Sequence, residues 1–559
     1  MLLALTVLSF TSLSASSFAQ APAQDVEAAM QAASPAEIRA EDIARRIEML
    51  SSDAFGGRGP GSEGEQLTID YLVDEFKGMG LRPGAGGESW TQAVPMVELT
   101  PESSPASNYT ASGGEAVTLM HGRDIVLWSP VLGGEVSVSA SDVVFAGYGI
   151  VAPEFEWNDY EGLDVKGKTV LVMVNDPGFA TQDPALFRGH AMTYYGRWTY
   201  KFEEAERQGA AACLIVHQDA AAGYGWTVVD QSWSRPQLQL GGDVRERALK
   251  VSGWVSESAA MDLVTAAGQD LGALAAAAAK RGARPVPLEG VQFSAGFSNR
   301  MRRVVSANVL AELKGSKTPD EYVLICAHWD HLGTREGSAE EDNIYNGAVD
   351  NASGTATLLE LAEALAAQPT APSRSVLFLV TTAEEKGLLG SKYYASDPVV
   401  PLAKTVCGLN LDVANTLGEM KDIIVVGFGA SELDVDLAAM ARGQGRTIVP
   451  EATPEKGFYF RSDHFSLAKV GVPMMYTETG TTSVKHGTDW VTEQKLDFTR
   501  KRYHRLSDEY NPEWDLSGAV QDVQLFHGLV NLWANDPRPR QWSPDSEFRA
   551  ARELSLRGR

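Results

Sequence analysis

Five residues of metal-ligating type sit in short, chemically suggestive settings in the second half of the chain. They are His328 in VLICAHWDHLG, Asp350 in NGAVDNASG, Glu385 in VTTAEEKGLLGS, Asp412 in GLNLDVAN and His504 in KRYHRLSDEY. Together they offer two imidazoles and three carboxylates, with a further carboxylate, Glu384, beside Glu385. Two divalent ions that share one carboxylate and leave room for a water need that inventory. The expected chemistry is metal-assisted hydrolysis.

Each motif has a local rationale. His328 and Asp330 stand at i and i+2 on an extended segment, so their side chains can share one face. Asp330 can then accept the imidazole N–H and set its tautomer, a partner that metal-bound histidines usually have. Asp350 precedes Asn351, Ser353 and Gly354 at the opening of a helix expected from Thr355. It reads equally as an N-cap or as a bridging carboxylate between strand and helix. Glu384 and Glu385 directly follow the apolar SVLFLV run. One of the pair can bind metal while its neighbour takes a proton from water.

The elements that must position these groups alternate. From residue 306 onward EYVLICAHWD reads as strand, GTATLLELAEAL as helix and SVLFLVTTAEE as strand, followed by a helix from Gly387. VCGLNLDV, IIVVGFG and GVPMMYTET read as further strands. The fold class expected is α/β, a sandwich with a largely parallel sheet. His328, Glu384, Glu385 and Asp412 all fall at or just beyond the carboxyl ends of strands, the edge where open α/β sheets gather ligands. Upstream, AEDIARRIEMLSS and GSEGEQLTIDYLVDEFKGMGL read as amphipathic helices, the second with Leu67, Tyr71, Leu72 and Phe76 at helical spacing. FGGRGPGSEG between them reads as a Gly/Pro-punctuated turn. Between about 90 and 295 the texture changes to short strands and turns, with a helix then strand in KFEEAERQGAAACLIVHQ.

Composition narrows the partners. The 559 residues carry 48 Lys+Arg against 73 Asp+Glu, a net charge of −25, which disfavours nucleic acid and anionic membrane surfaces. Cys213, Cys326 and Cys407 are widely spaced in apolar settings and read as small buried hydrophobes rather than a disulfide framework. Residues 1–19 read as a signal peptide ending in Ser17-Phe18-Ala19, although a basic start is missing. No later apolar run reaches the length of a membrane span. Export to a periplasm or the medium is expected.

HWDHLG, DNASG, AEEKGLLGS, NLDV and the late YH resemble the co-catalytic zinc exopeptidase family, which contains bacterial leucyl-type aminopeptidases and glutamate carboxypeptidase. The resemblance covers residues 300 to about 535 and the N-terminal helices. It implies a three-layer α/β sandwich with a mostly parallel mixed sheet, and two Zn2+ per chain. His328, Asp350 and Asp412 would hold one ion, and Asp350, Glu385 and His504 the other. Glu384 falls on the general base and Asp330 on the residue orienting His328. The FAGYGIVAPEFEWNDYEGLDVKGKTVLVM stretch resembles a protease-associated insert, β-rich and placed where relatives carry one. The organisation implied is a signal peptide at 1–19, N-terminal helices at 36–90, the insert at 91–295, a catalytic domain at 296–540 and a polar tail at 541–559.

The expected activity is an aminopeptidase acting on peptides. A carboxypeptidase of the same fold, favoured by Arg461 and the insert, is the alternative. A glutaminyl cyclase, which works with one zinc, and a catalytically dead receptor-like protein fit less well, because the ligand set is complete. Asp463, His464 and Tyr476 are expected in the substrate pocket, with His464 or Tyr476 stabilising the oxyanion. His331 and His486 read as ordinary polar residues. The insert is open to shaping substrate access, restricting the site to short peptides or forming a homodimer.

Overall fold

The computed structural model of the protein describes residues 38–112, 114–234, 236–241, 248–335 and 342–557. The leader expected at 1–19 lies outside them. Among the described residues, no helix is long and apolar enough to cross a membrane.

The two N-terminal helices form as their periodicity predicts. In α1 (Ala40–Leu50), Ile43, Ile47 and Leu50 face inward. In α2 (Glu63–Gly78), Ile69, Leu72 and Phe76 are buried, whereas Leu67 stays 47% exposed. The buried stripe is thus rotated toward Ile69 relative to the spacing read from sequence.

Next comes β1 (Thr91–Pro101), then the insert strands β2 (Glu135–Phe145), β3 (Thr169–Met173), β4 (Ala212–His217) and β5 (Val251–Ser256). Strands β2, β3, β4 and β5 pair in parallel in that order, with α3 (Trp198–Arg207) crossing from β3 to β4. The β2–β3 connection holds no α-helix, whereas α3 makes the β3–β4 crossover, so the β-rich insert carries helices as well.

A single strand, β6 (Val286–Leu313), ties the two parts together. Its first half pairs with β2, and its second half, from Asn299, pairs antiparallel with β1. Inward residues alternate along its insert half at Val291, Phe293, Ala295 and Phe297. The expected domain boundaries shift accordingly. The change of texture at residue 91 marks the end of helical periodicity, yet β1 joins the sheet of the C-terminal part through the second half of β6. The boundary expected at 295–296 falls inside β6.

In the C-terminal part, β7 (Thr318–His328), α4 (Gly354–Ala366), β8 (Arg374–Thr381), α5 (Leu389–Ser396), β9 (Thr405–Asn410), α6 (His464–Lys469), β10 (Met474–Thr479), α7 (Gly487–Lys501) and α8 (Ser517–Asn535) follow in order. The sheet runs β1–β6–β8–β7–β9–β10, and β8, β7, β9 and β10 are mutually parallel. Helices α1, α2, α4 and α8 bury their apolar sides in one core. Tyr394 of α5 and Leu467 of α6 pack against Leu324 and Leu379 in another. Covered on both faces, β8 and β9 are continuous buried runs. This is the expected three-layer α/β sandwich.

The C-terminal segment expected as a polar tail is folded. It forms α9 (Arg549–Arg557), and Trp542, Phe548 and Arg552 are buried. Its polar composition hides three anchors spaced along a short stretch. Cys213, Cys326 and Cys407 are free and buried, as their apolar settings predicted.

Candidate metal centre

The parallel pairing of β8, β7 and β9 brings the chemistry to one edge. His328 ends β7 opposite Thr381, the last residue of β8, and Cys326 is opposite Asn410, the last residue of β9. Glu384, Glu385 and Asp412 lie just past those ends. Asp350 comes from the turn before α4, and His504 from the turns after α7.

All five expected ligands converge. His328 Nε2 lies 3.5 Å from Asp350 Oδ1, 3.5 Å from Asp412 Oδ1 and 4.0 Å from Glu384 Oε2. His504 Nε2 lies 3.2 Å from Asp350 Oδ2 and 3.1 Å from Glu385 Oε2. Asp350 therefore turns one oxygen to each imidazole.

The turn that presents Asp350 is held by its own motif. Asn351 Oδ1 accepts the Gly354 N–H at 2.9 Å, and Asn351 Nδ2 donates to the Leu411 carbonyl at 3.1 Å. Ser353 Oγ accepts the Ala414 N–H at 2.8 Å, and Thr355 Oγ1 donates to the His328 carbonyl at 2.8 Å. Asn351 thus takes the capping role weighed for Asp350 and leaves that carboxylate for a ligand. Asp412 is fixed by Ser462, whose Oγ donates to Oδ2 at 2.6 Å.

Asp330 differs from its expected contact. His328 Nδ1 lies 3.1 Å from the Asp330 backbone carbonyl but 3.8 Å from its carboxylate. Strand β7 ends at His328, so the alternation that would align residues 328 and 330 stops there. The Asp330 carboxylate instead accepts the Glu384 N–H at 2.9 Å and so orients the neighbouring acid.

Three further residues, none of them marked by a motif, neighbour the site. His331, read as an ordinary polar residue, is buried with Nδ1 2.7 Å from Glu385 Oε1. Arg58, in the segment read only as a turn, is buried beneath the site. Asp508, four residues past His504, accepts the Val349 and Asp350 N–H groups at 3.1 Å. HWDHLG and RLSDEY contain two of these residues, but nothing in their spacing distinguishes them from surface polar groups.

The expected pocket residues divide. Asp463 is fully buried, and Thr381 Oγ1 donates to it at 2.5 Å, so it braces the end of β8. His464 packs between Tyr459 and Tyr476, with ring centroids 4.6 and 4.7 Å away. Burial pushes His464 down to about 3, so it is neutral. Burial, with Asp412 nearby, pushes the Tyr476 hydroxyl well above its ordinary range. Arg461 Nη2 donates to the Lys456 carbonyl at 2.6 Å.

Charge at the centre is unevenly compensated. Burial, more than the attraction of His328, sets Glu384, whose carboxyl rises well above the usual range. Burial likewise raises Asp330 to about 7. Burial also acts to raise Glu385 and Asp412. The imidazoles of His504 and His331 outweigh it at Glu385, and hydrogen bonding to His328 outweighs it at Asp412, so both fall below the usual range. Burial acts to lower His328 and His504, but the surrounding carboxylates lift His328 well above the ordinary value and His504 to about 11. Protons on these imidazoles compensate the clustered acids. The Asp330 Oδ2 atom is buried without a hydrogen-bond donor. Ligand atoms of His328, Glu384 and Asp412, and separately of His331, Asp350 and Glu385, lie within 4.8 Å of one another. Mixed nitrogen and carboxylate donors in two adjoining groups suit divalent zinc.

Residues 308–526 match the model of peptidase family M28. The chain is 32% identical over 130 residues to the mouse protein named aminopeptidase NAALADL1, a stretch that is 22% of this chain and 16% of that one. It is 37% identical over 112 residues to a probable zinc metalloprotease of Pyrenophora teres f. teres, 20% of this chain and 23% of that protein. The chain thus spans less than a quarter of the length of these curated relatives. Among solved structures, an aminopeptidase from Aneurinibacillus sp. strain AM-1 aligns over 90% of this chain and 96% of its own, with a TM-score of 0.48 and 20% identity.

Proposed function

Residues 308–526 match the model of peptidase family M28, and on that premise we propose that this chain is a two-zinc exopeptidase that removes N-terminal residues from peptides. The observation that carries the proposal is Asp350, whose two oxygens face His328 and His504 separately while Glu384 stands beside them. A bridging carboxylate with a spare acid is the arrangement a co-catalytic pair requires.

His328, Asp350 and Asp412 would hold one ion, and Asp350, Glu385 and His504 the other. Bound there, the ions would supply Lewis acidity to water and to the scissile carbonyl. Glu384, oriented through its backbone by Asp330, takes the proton of the attacking water and returns it to the leaving amine. Burial raises the affinity of its carboxyl for a proton. Tyr476 keeps its hydroxyl proton and His464 stays neutral, so both can donate to a developing oxyanion without adding charge. Export to a periplasm or the medium is part of the proposal, on the apolar character of residues 1–19.

The carboxypeptidase alternative rests on Arg461, a half-buried guanidinium that directly precedes Ser462, the partner of Asp412. The test is incubation of the zinc-loaded chain with mixed short peptides and product identification by mass spectrometry, beside a chelated control. Loss of N-terminal residues, abolished by chelation, supports the proposal. C-terminal trimming replaces it with the alternative, and intact peptides overturn both.

A further inference from the structure

We propose that Arg58 is a positioning residue of the metal centre, a clamp that locks the His328-bearing and Asp350-bearing segments into one register before any metal arrives. The inference rests on the two-metal proposal for its consequence, but its geometry stands on its own. Arg58 lies far upstream of the M28-matched segment, in a stretch rich in glycine.

The guanidinium is almost wholly spent on backbone carbonyls. Nε donates to Trp329 at 2.8 Å, between His328 and Asp330. Nη1 donates to Asn346 at 2.6 Å and to Leu50 at 2.6 Å, and Nη2 to Gly347 at 2.8 Å. One planar group thereby fixes three points on the two ligand-bearing segments and ties them to the end of α1. Only arginine presents several donors in a rigid fork; a lysine ammonium is a single point on a flexible stem.

The surroundings are shaped for that reach. Gly57 has φ +65, and a Cβ there would lie 2.4 Å from the Gly333 carbonyl oxygen and 2.6 Å from that of Tyr345. The Arg58 carbonyl in turn accepts the His331 N–H at 3.3 Å. Gly347 has φ +55, and a Cβ would meet the Asp350 carbonyl at 2.4 Å and the His331 ring at 2.5 Å. From the other side Asp508 takes the N–H groups of Val349 and Asp350, and its carbonyl takes that of Ala348 at 3.0 Å. The Asp350 turn is thus held by its carbonyls on Arg58 and by its amides on Asp508.

The charge acts in the same direction. Asp508, Asp330, Asp350 and Glu385 all lie close enough to favour the charged guanidinium, while burial opposes it and lowers Arg58 to about 10. A fixed cation beneath four acids reduces their mutual repulsion in the metal-free chain.

The test compares the full-length metal-free chain with Arg58→Gln and Arg58→Lys by amide hydrogen exchange, followed by Zn2+ titration against a competing chelator. The expected result is faster exchange of residues 347–350 in both variants, with protection of the β8 core strand unchanged. Zinc affinity should fall roughly 10–100-fold, the usual cost of removing a partner of metal ligands. Unchanged protection of 347–350 overturns the clamp, as does restoration of zinc affinity by Arg58→Lys, because charge alone would then suffice. Should Arg58→Gln not fold, Arg58→Lys decides: weakened zinc binding in a folded variant supports the clamp, and wild-type binding overturns it. Wild-type protein that takes up no zinc overturns the two-metal proposal instead, while the exchange comparison still judges the clamp.

Discussion

Ser462 Oγ donates a 2.6 Å hydrogen bond to Asp412 Oδ2, leaving Oδ1 turned toward His328. The serine is itself held, since Asn410 Nδ2 donates to it at 2.7 Å. A carboxylate with one oxygen tied is presented in a single orientation, which favours a metal ligand by removing rotamer freedom. Ser462→Ala should weaken zinc binding about 10-fold while the fold is retained. Competition titration with a chromophoric chelator measures this, and wild-type affinity would show that the bond does not orient the ligand.

Glu384 lies 4.0 Å from His328 Nε2 and has no assigned place among the metal ligands. Glu384→Gln keeps the shape and removes the proton acceptor. Zinc content should stay at the wild-type level, and kcat should fall at least about 100-fold, the lower range for general acid–base catalysis. Steady-state kinetics beside metal analysis separates the two effects. Near-normal turnover would remove Glu384 from its role.

Asp350 offers one oxygen to each half of the site. Asp350→Ala should therefore abolish binding of both ions, whereas Asp412→Ala should spare the ion on the His504 side. Metal analysis after equilibrium dialysis reads the stoichiometry. Two ions retained by Asp350→Ala would contradict a bridging role.

His504 is held at about 11 in the metal-free chain, against an ordinary value of 6.5, because burial is outweighed by Glu385 and Asp350. A raised folded-state value stabilises the metal-free fold fully below pH 6.5, and that contribution is lost as pH rises through about 11. Zinc requires the neutral imidazole, so its uptake at pH 7.5 should release protons and tighten as pH rises. Calorimetric zinc titrations in two buffers of different ionisation enthalpy should give different apparent enthalpies. Equal enthalpies would mean that no proton leaves.

Much of the site was legible because strand chemistry is local. SVLFLV and VLICAH are apolar runs that end in acids or imidazole, and parallel strands bury such runs on both faces while exposing their carboxyl ends. The insert was harder to delimit. The strand Val286–Leu313 serves two sheets, and its period-2 pattern gives no sign of where one ends.

The chain's own residues determined the α/β class and the gathering of His328, Asp350, Glu384, Glu385 and Asp412 at one sheet edge, with His504 beside them, since each is written in a short motif whose spacing is set by one strand or turn. Tertiary structure alone decided which carbonyls Arg58 would hold, that His331 would meet Glu385, and that the Asp330 carboxylate would take the Glu384 N–H while its backbone carbonyl meets His328. Those contacts join segments brought together only by packing, some 270 residues apart in the case of Arg58 and Trp329, and a pairing across such a distance leaves no periodic trace in either segment.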